Sequence, residues 1–363
     1  MQYWLDHRKK PQKFSLLRWI AALVLLGGTL SAGVFIVYDF WHDNKEVGQF
    51  NISDTYIGEN LSRSLDLKLA AKASYPSSEL GVYKDLGNVD GLHQKIFSFS
   101  VEIDKLTEYG LMVEPVKTPP PVGFPVIILL HGYSNASRYS TQDGYLSDME
   151  FYASHGFAVI KPDYRGQGVS EDSGLPDSAY YSMVYNDDVM SLISAIKQTP
   201  SLDKSNINIW GHSLGAYLGL RAAVLSKDIK NLILLSGPVD SLRAMYLNYV
   251  PPSDENNTYA LATRNEVFTK YGTPADNTRF WYDASPINFV SQIHAFIQIH
   301  VGLLDQTVPP QFSADLDAAL SRSHIKHQYF VYQDGDHSLV NQRPLIYSRS
   351  LQLLMGGTNA SNV

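Results

Sequence analysis

A chain of 363 residues with 44% hydrophobic and 18% charged residues has room for one large α/β domain plus accessories, and it is too apolar for a disordered chain. A formal net charge of −7 leaves no basic footprint for nucleic acid, so no nucleic-acid partner is expected. With no cysteine, disulfides, thiolate catalysis and cysteine-ligated metals are excluded.

The first predicted element is a membrane span. Residues 1–18 carry Arg8, Lys9, Lys10, Lys13 and Arg18 against the single acid Asp6, and Trp19 to Tyr38 follow without a charge. At a helical rise of about 1.5 Å per residue this run covers roughly 30 Å, the thickness of a bilayer core. A cleaved signal peptide is the alternative, with a poor cleavage site at Thr29-Leu30-Ser31-Ala32. Apolar residues continue past it through Val34, Phe35, Ile36 and Val37, which favours an uncleaved anchor over 19–41. The positive-inside rule then keeps the basic tail cytoplasmic and turns the remainder outward, a single-pass arrangement with an extracytoplasmic catalytic domain.

Residues 42–94 read as a stalk or N-terminal extension, in which Leu61, Leu65 and Leu69 predict one short amphipathic helix. From Lys95 the pattern changes. KIFSFSVEI alternates as a half-buried strand does, GLMVEPV is its partner, and the break TPPPVGFP follows. Apolar runs then alternate with helical segments: PVIILLHG, AVIKPDYRG, INIWGHS, NLILLSGP, AFIQIHVG and HQYFVYQDGDH, with a closing helix around 342–355. This order predicts a mostly parallel, doubly wound sheet over 95–356, with a flexible tail at 357–363. One connection is far longer than usual. The aromatic-rich residues 238–290 read as an inserted helical cap, its aromatics more simply explained by their own packing than by substrate contact.

Chemistry concentrates at the ends of these strands. In Gly211-His212-Ser213-Leu214-Gly215 a strand runs in and a helix runs out, the context in which a serine projects above a sheet edge as a nucleophile. A serine hydroxyl needs a base, and His337, on the loop after the last strand, is placed at the same edge. The base needs a carboxylate, for which Asp305 after the fifth parallel strand is preferred to Asp240 after the fourth. Asp334 and Asp336 read as turn residues. Backbone N–H groups of Leu214 and of Tyr133, in the loop HGYSN, are the candidate oxyanion donors. His131 reads as a brace for that loop.

Together HGY, PDYRGQG, GHSLG, GLLDQTVP and GDH, in this order, resemble an α/β-hydrolase-fold serine hydrolase. DASPINFV and VPPQFSADLDAAL narrow the resemblance to the catalytic domain of the prolyl oligopeptidase (S9) family and its dienelactone-hydrolase-like relatives. The likeness spans roughly 95–356. It implies acyl hydrolysis through a serine, with neither metal nor organic cofactor and a small acyl substrate as partner. Two features depart from the family pattern. Residues 42–94 are too few for the β-propeller that precedes the classical peptidases, and the oxyanion loop reads HGY where HGG is usual. The resemblance thus implies a peptidase acting on short peptides, with a carboxylesterase of small or aryl esters as the alternative. An inactive surface binding protein is a third reading, disfavoured because every triad residue type is present. Asp163 and Arg165 in DYRG read as an ion-paired turn.

Overall fold

A computed structural model describes residues 63–142, 144–172, 174, 182–248 and 258–356. The basic tail, the apolar run 19–38, the start of the extension and the tail 357–363 lie outside the described residues. Among those described, no helix is long and apolar enough to cross a membrane.

Nine strands build one sheet: β1 (Gly81–Val89), β2 (Leu92–Val101), β3 (Leu106–Pro115), β4 (Phe124–Leu130), β5 (Ala158–Pro162), β6 (Leu202–His212), β7 (Ile229–Leu235), β8 (Phe296–Gly302) and β9 (His327–Tyr332). Their order is β1-β2-β3-β5-β4-β6-β7-β8-β9. The pairs β1–β2, β2–β3 and β3–β5 are antiparallel, and every pair from β5 onward is parallel. The chain thus has the mostly parallel sheet that its alternating runs predict and adopts the α/β-hydrolase fold that the resemblance implies.

The central strands read as unbroken apolar runs because both faces are covered. In β4, Val126, Ile128 and Leu130 point into one core and Ile127 and Leu129 into the other; β7 divides the same way, Leu232 and Leu234 against Ile233 and Leu235. The first core is packed by α3 (Tyr185–Gln198), α4 (Leu214–Leu225) and α8 (Pro310–Arg322), the second by α2 (Leu146–Ser154) and α9 (Arg343–Leu354). Between β7 and β8 run α5 (Leu242–Asn248), α6 (Thr258–Tyr271), α7 (Thr278–Asp283) and a 3-10 turn, Pro286–Gln292. Tyr246 and Trp281 are buried here with ring centroids 5.1 Å apart, and Tyr271 stacks on Phe280 at 4.4 Å, so these aromatics hold the insertion together.

Three expectations need correction. The sheet does not begin at residue 95: β1 pairs with β2 from Gly81 onward. Its outer face meets solvent, so most of its side chains are exposed and the alternation that marks a strand is missing. Nor do the described residues of the preceding segment form one continuous helix. A short helical turn at 63–65 is broken at Asp66, whose carboxylate accepts from the backbone N–H groups of Lys68 and Leu69 and so caps α1 (Leu67–Ala70). Leu65 is fully buried while Leu69 is 45% exposed. From α4, Arg221 donates to the carbonyls of Ser64 and Leu65 and to that of Ala284, tying this segment and the insertion to one helix.

Thirdly, Asp163 and Arg165 take different partners. Asp163 accepts from the hydroxyls of Tyr139 and Thr141, whereas Arg165 turns to Asp188 and to Asp104, the latter at 2.9 Å. Asp104 also pairs with Arg63 at 2.8 Å, and Arg63 reaches Asp187 at 2.7 Å. A buried carboxylate is stable only with donors around it, and the turn resolves this by giving each group its own.

Glu108 is buried beside this cluster, and desolvation, with Asp188 adding to it, holds its pKa well above the ordinary value of 4.5. The native state therefore keeps a proton that the unfolded chain has released, so this contribution to stability is full below pH 4.5 and fades as pH climbs toward the raised value. Glu108→Gln removes the dependence. The melting temperature of the variant relative to wild type is expected to rise as pH climbs above 4.5; a constant difference would mean that Glu108 titrates alike in both states.

Candidate active site

The strand–helix junction after β6 is unusually tight. A Cβ on Gly215 would stand 1.9 Å from the Leu130 carbonyl oxygen at the end of β4, and one on Gly211 would stand 2.4 Å from the Gly215 carbonyl oxygen. Only glycine permits either approach. The turn leaves Ser213 at φ 54° and ψ −121°, immediately before α4, with its N–H bonded to the Leu235 carbonyl at 2.9 Å. A non-glycine residue with positive φ is strained by about 1–3 kcal/mol, and such strain persists where the surroundings over-determine it.

Two other strand ends converge on this serine. A Cβ on Gly302, the last residue of β8, would lie 2.2 Å from the Gly335 carbonyl oxygen in the loop after β9. Those two loops are further joined by Leu303 N–H to the Tyr332 carbonyl and Leu304 N–H to the Gly335 carbonyl, each 2.9 Å. Asp305 and His337 are thereby held face to face. His337 Nδ1 lies 2.8 Å from Asp305 Oδ2, and His337 Nε2 lies 3.0 Å from Ser213 Oγ. Since the carboxylate can only accept, Nδ1 carries the proton; Nε2 is left as a lone pair facing the serine hydroxyl. Asp305 Oδ1 accepts from Thr307 and Val308 N–H groups, both at 2.8 Å, which fixes the carboxylate plane. The Asp305 side chain has no exposed surface and that of His337 is 20% exposed, so the carboxylate is sealed while the imidazole remains accessible.

Ser213, His337 and Asp305 thus come together. The competitor Asp240 does not join them: it accepts from Ser241 N–H and faces Asp315, and burial together with that neighbour raises its pKa. Asp336 is a turn residue, accepting from Leu339 N–H at 2.9 Å and from the Ser338 hydroxyl at 2.8 Å.

The loop after β4 lies against the serine, where a Cβ on Gly132 would be 3.3 Å from Ser213 Cβ. His131 Nδ1 donates to the Gly132 carbonyl at 2.7 Å. That carbonyl and the Tyr133 N–H belong to one trans peptide and point oppositely, so pinning the oxygen also orients the N–H. Burial, with Lys161 nearby, drives the His131 pKa down to about 3 and keeps the ring a neutral donor. Leu214 opens α4, where the first N–H groups have no intrahelical acceptor. A cleft of about 300 Å³ lined by His131, Gly132, Tyr133, Tyr139, Tyr145 and Lys161 adjoins the loop. Among the described residues no group of three or more His, Asp or Glu side chains could hold a metal ion.

Gly302, Gly335, His212 and Tyr145 also build the site and were not singled out from sequence. The two glycines sit inside the motifs around Asp305 and His337, but their role depends on a contact between distant loops. His212 occupies the unconstrained position of its motif, and Tyr145 belongs to no motif.

Comparison with known proteins gives a consistent picture. Residues 144–354 match the family described as the prolyl oligopeptidase family. An uncharacterized peptidase of Bacillus subtilis (strain 168), YtmA, is 24% identical over 246 residues, which make up 68% of this chain and 87% of that protein. The acetyl xylan esterase from Paenibacillus sp. R4 superposes with a TM-score of 0.61 at 19% identity, covering 84% of this chain and 95% of the esterase. Porphyromonas gingivalis dipeptidyl peptidase 4 superposes with a TM-score of 0.55 at 21% identity over 78% of this chain, but over only 36% of its own length.

The close approach at Gly215 is directly testable. Gly215→Ala has to push α4 off β4, and is expected to destabilise the protein by about 1–3 kcal/mol or more. A lowered urea midpoint would register this, and an unchanged one would show that the helix can shift freely.

Proposed function

This chain belongs to the prolyl oligopeptidase family, and on that premise we propose that its serine hydrolase chemistry is carried by Ser213, His337 and Asp305. The single observation that carries the reading is the unbroken hydrogen-bonded chain from Ser213 Oγ through His337 to the sealed carboxylate of Asp305. As the Ser213 oxygen attacks an acyl carbonyl, His337 Nε2 takes its proton, and Asp305 stabilises the imidazolium while holding its tautomer. Charge developing on the carbonyl oxygen is met by the N–H groups of Leu214 and Tyr133, each worth on the order of a hundred- to a thousand-fold in rate. His337 returns the proton to the leaving group. Water, deprotonated by the same nitrogen, then clears the acyl-enzyme.

The substrate class we favour is short peptides. The family is named for its peptidases, and the matched Bacillus subtilis protein, itself described as a peptidase, is covered over most of its length. A second reading, hydrolysis of small esters, is favoured by the acetyl xylan esterase, whose fold is matched almost end to end where the dipeptidyl peptidase is matched over about a third. We further place the catalytic unit outside the cytoplasmic face, anchored by residues 19–38; support for this is the charge-free run and its basic flank.

Three measurements test these proposals. A soluble form beginning near residue 42 is expected to turn over 4-nitrophenyl esters and aminoacyl or prolyl 4-nitroanilides, with Ser213→Ala inactive and unlabelled by a fluorophosphonate. Efficient anilide cleavage supports the peptidase reading, ester cleavage alone the second, and turnover surviving in Ser213→Ala removes the nucleophile assignment. Asp305→Asn replaces an acceptor with a donor facing His337 Nδ1 and is expected to lower kcat by about four orders of magnitude, whereas Asp240→Asn stays near wild type. Equal losses would bring Asp240 back as the acid. Finally, full-length protein is expected in the membrane fraction and the form lacking residues 1–41 in the soluble one, both active; a soluble full-length chain would refute the anchor.

A further inference from the structure

The residue before the nucleophile is a buried histidine whose two ring nitrogens are both engaged. His212 Nε2 lies 2.9 Å from the backbone carbonyl oxygen of His337, and His212 Nδ1 lies 2.7 Å from the Tyr145 hydroxyl. That hydroxyl also accepts from the Gly132 N–H at 3.1 Å. Only one arrangement of hydrogens satisfies this chain. The His337 carbonyl can only accept, so Nε2–H donates. Burial, with His337 nearby, depresses the His212 pKa to about 3, so the ring is neutral and Nδ1 is a bare acceptor. Tyr145 must then donate to Nδ1, and burial keeps its hydroxyl protonated by raising its pKa to about 12. Its oxygen is left to accept from Gly132.

The backbone at Tyr145 is also unusual. It stands at φ 58°, ψ 6°, a left-handed conformation that costs a bulky residue energy, immediately before α2. Its ring packs edge-on to Trp210, with centroids 5.9 Å apart. The turn therefore aims the hydroxyl into the gap between the two loops, where a Cβ on Gly132 would be 3.2 Å from the Tyr145 oxygen and 3.4 Å from His212 Nδ1.

We propose that Tyr145 and His212 are positioning residues that form a strut between the oxyanion loop and the loop of the catalytic base, setting the distance from the Tyr133 N–H to His337 across Ser213. The strut runs from the Gly132 N–H through the Tyr145 hydroxyl and the His212 imidazole to the His337 carbonyl. It fixes the peptide preceding the one that His131 pins, so the oxyanion loop is held at both of its peptide planes. Tyr145 and His212 act through the two loops they join. Both act on the step in which oxyanion and imidazolium form together, where the two loops must be in place at once. The inference rests on the triad reading above.

Two substitutions separate this from a merely structural role. Tyr145→Phe removes only the hydroxyl, and His212→Asn keeps an acceptor for Tyr145 while losing the donor to His337. Each is expected to lower kcat roughly tenfold to a hundredfold with KM within about threefold of wild type, and the double variant to be no slower than the slower single one, as members of one chain behave. Affinity for a trifluoromethyl ketone, which forms an oxyanion on the serine, is expected to fall in step with kcat, while affinity for the matching unreactive methylene isostere holds. Multiplicative losses in the double variant, or losses confined to KM or to melting temperature, would overturn the strut. If His212→Asn fails to fold, Tyr145→Phe decides alone through the ketone-to-isostere ratio, an unchanged ratio overturning the proposal. Failure of the triad reading shows itself separately, as turnover in Ser213→Ala, and would take the strut down with it.

Discussion

The approach of α4 to the end of β4, closer at Gly215 than any side chain allows, is the constraint from which the rest of the site follows. Because the helix starts so near the sheet, the chain must reverse within one residue, and Ser213 takes up the positive φ that this reversal demands. The same reversal lifts the hydroxyl off the strand end and turns the first N–H groups of the helix toward the space beside it. Exposure of the Ser213 hydroxyl and of the first helical N–H groups beside it is in this sense one geometric event, produced by the absence of two Cβ atoms. A second glycine contact, Gly302 against Gly335, does the corresponding work for the loops that carry Asp305 and His337.

How much of this was legible in the sequence varied with burial. The central strands announced themselves because both faces pack against apolar layers, and the triad order emerged once the serine, histidine and aspartate could be assigned to successive strand ends. β1 was invisible because an edge strand with a solvated face has no pattern to read. The leucine spacing at Leu65 and Leu69 suggested one continuous helix, but Asp66 between them prefers to cap, and capping stops one turn to start another. Asp163 and Arg165 looked like partners only because they are neighbours in sequence. Partners of buried charges are chosen by three-dimensional supply, and Asp188 and Asp104 lie closer to the guanidinium. His212 was hidden for another reason: at an unconstrained motif position its identity matters only through a tyrosine and a carbonyl brought in from elsewhere.

The segment 63–70 illustrates how an apparent accessory becomes part of the fold. Arg63 supplies positive charge to a buried cluster that includes Asp104 and Asp187, and the carbonyls of Ser64 and Leu65 receive the guanidinium of Arg221. A buried arginine on the helix that follows the nucleophile would be costly unless its donors were satisfied. The upstream segment and the insertion between β7 and β8 provide acceptors for both of its terminal nitrogens, so both contribute to the setting of α4.

The site draws its parts from far along the chain, with Ser213 and His337 separated by 124 residues. The strands that present them, β6 and β9, are joined only through β7 and β8, each paired in parallel with the next. Parallel pairing closes long loops before it is rewarded, and is therefore slow. Ser213 meets His337 only after the last strand has docked, so a chain still being synthesised or partly folded lacks this contact. The contact between Ser213 and His337 is thus a late product of this topology, formed only when the parallel strands that carry its two halves are all in place.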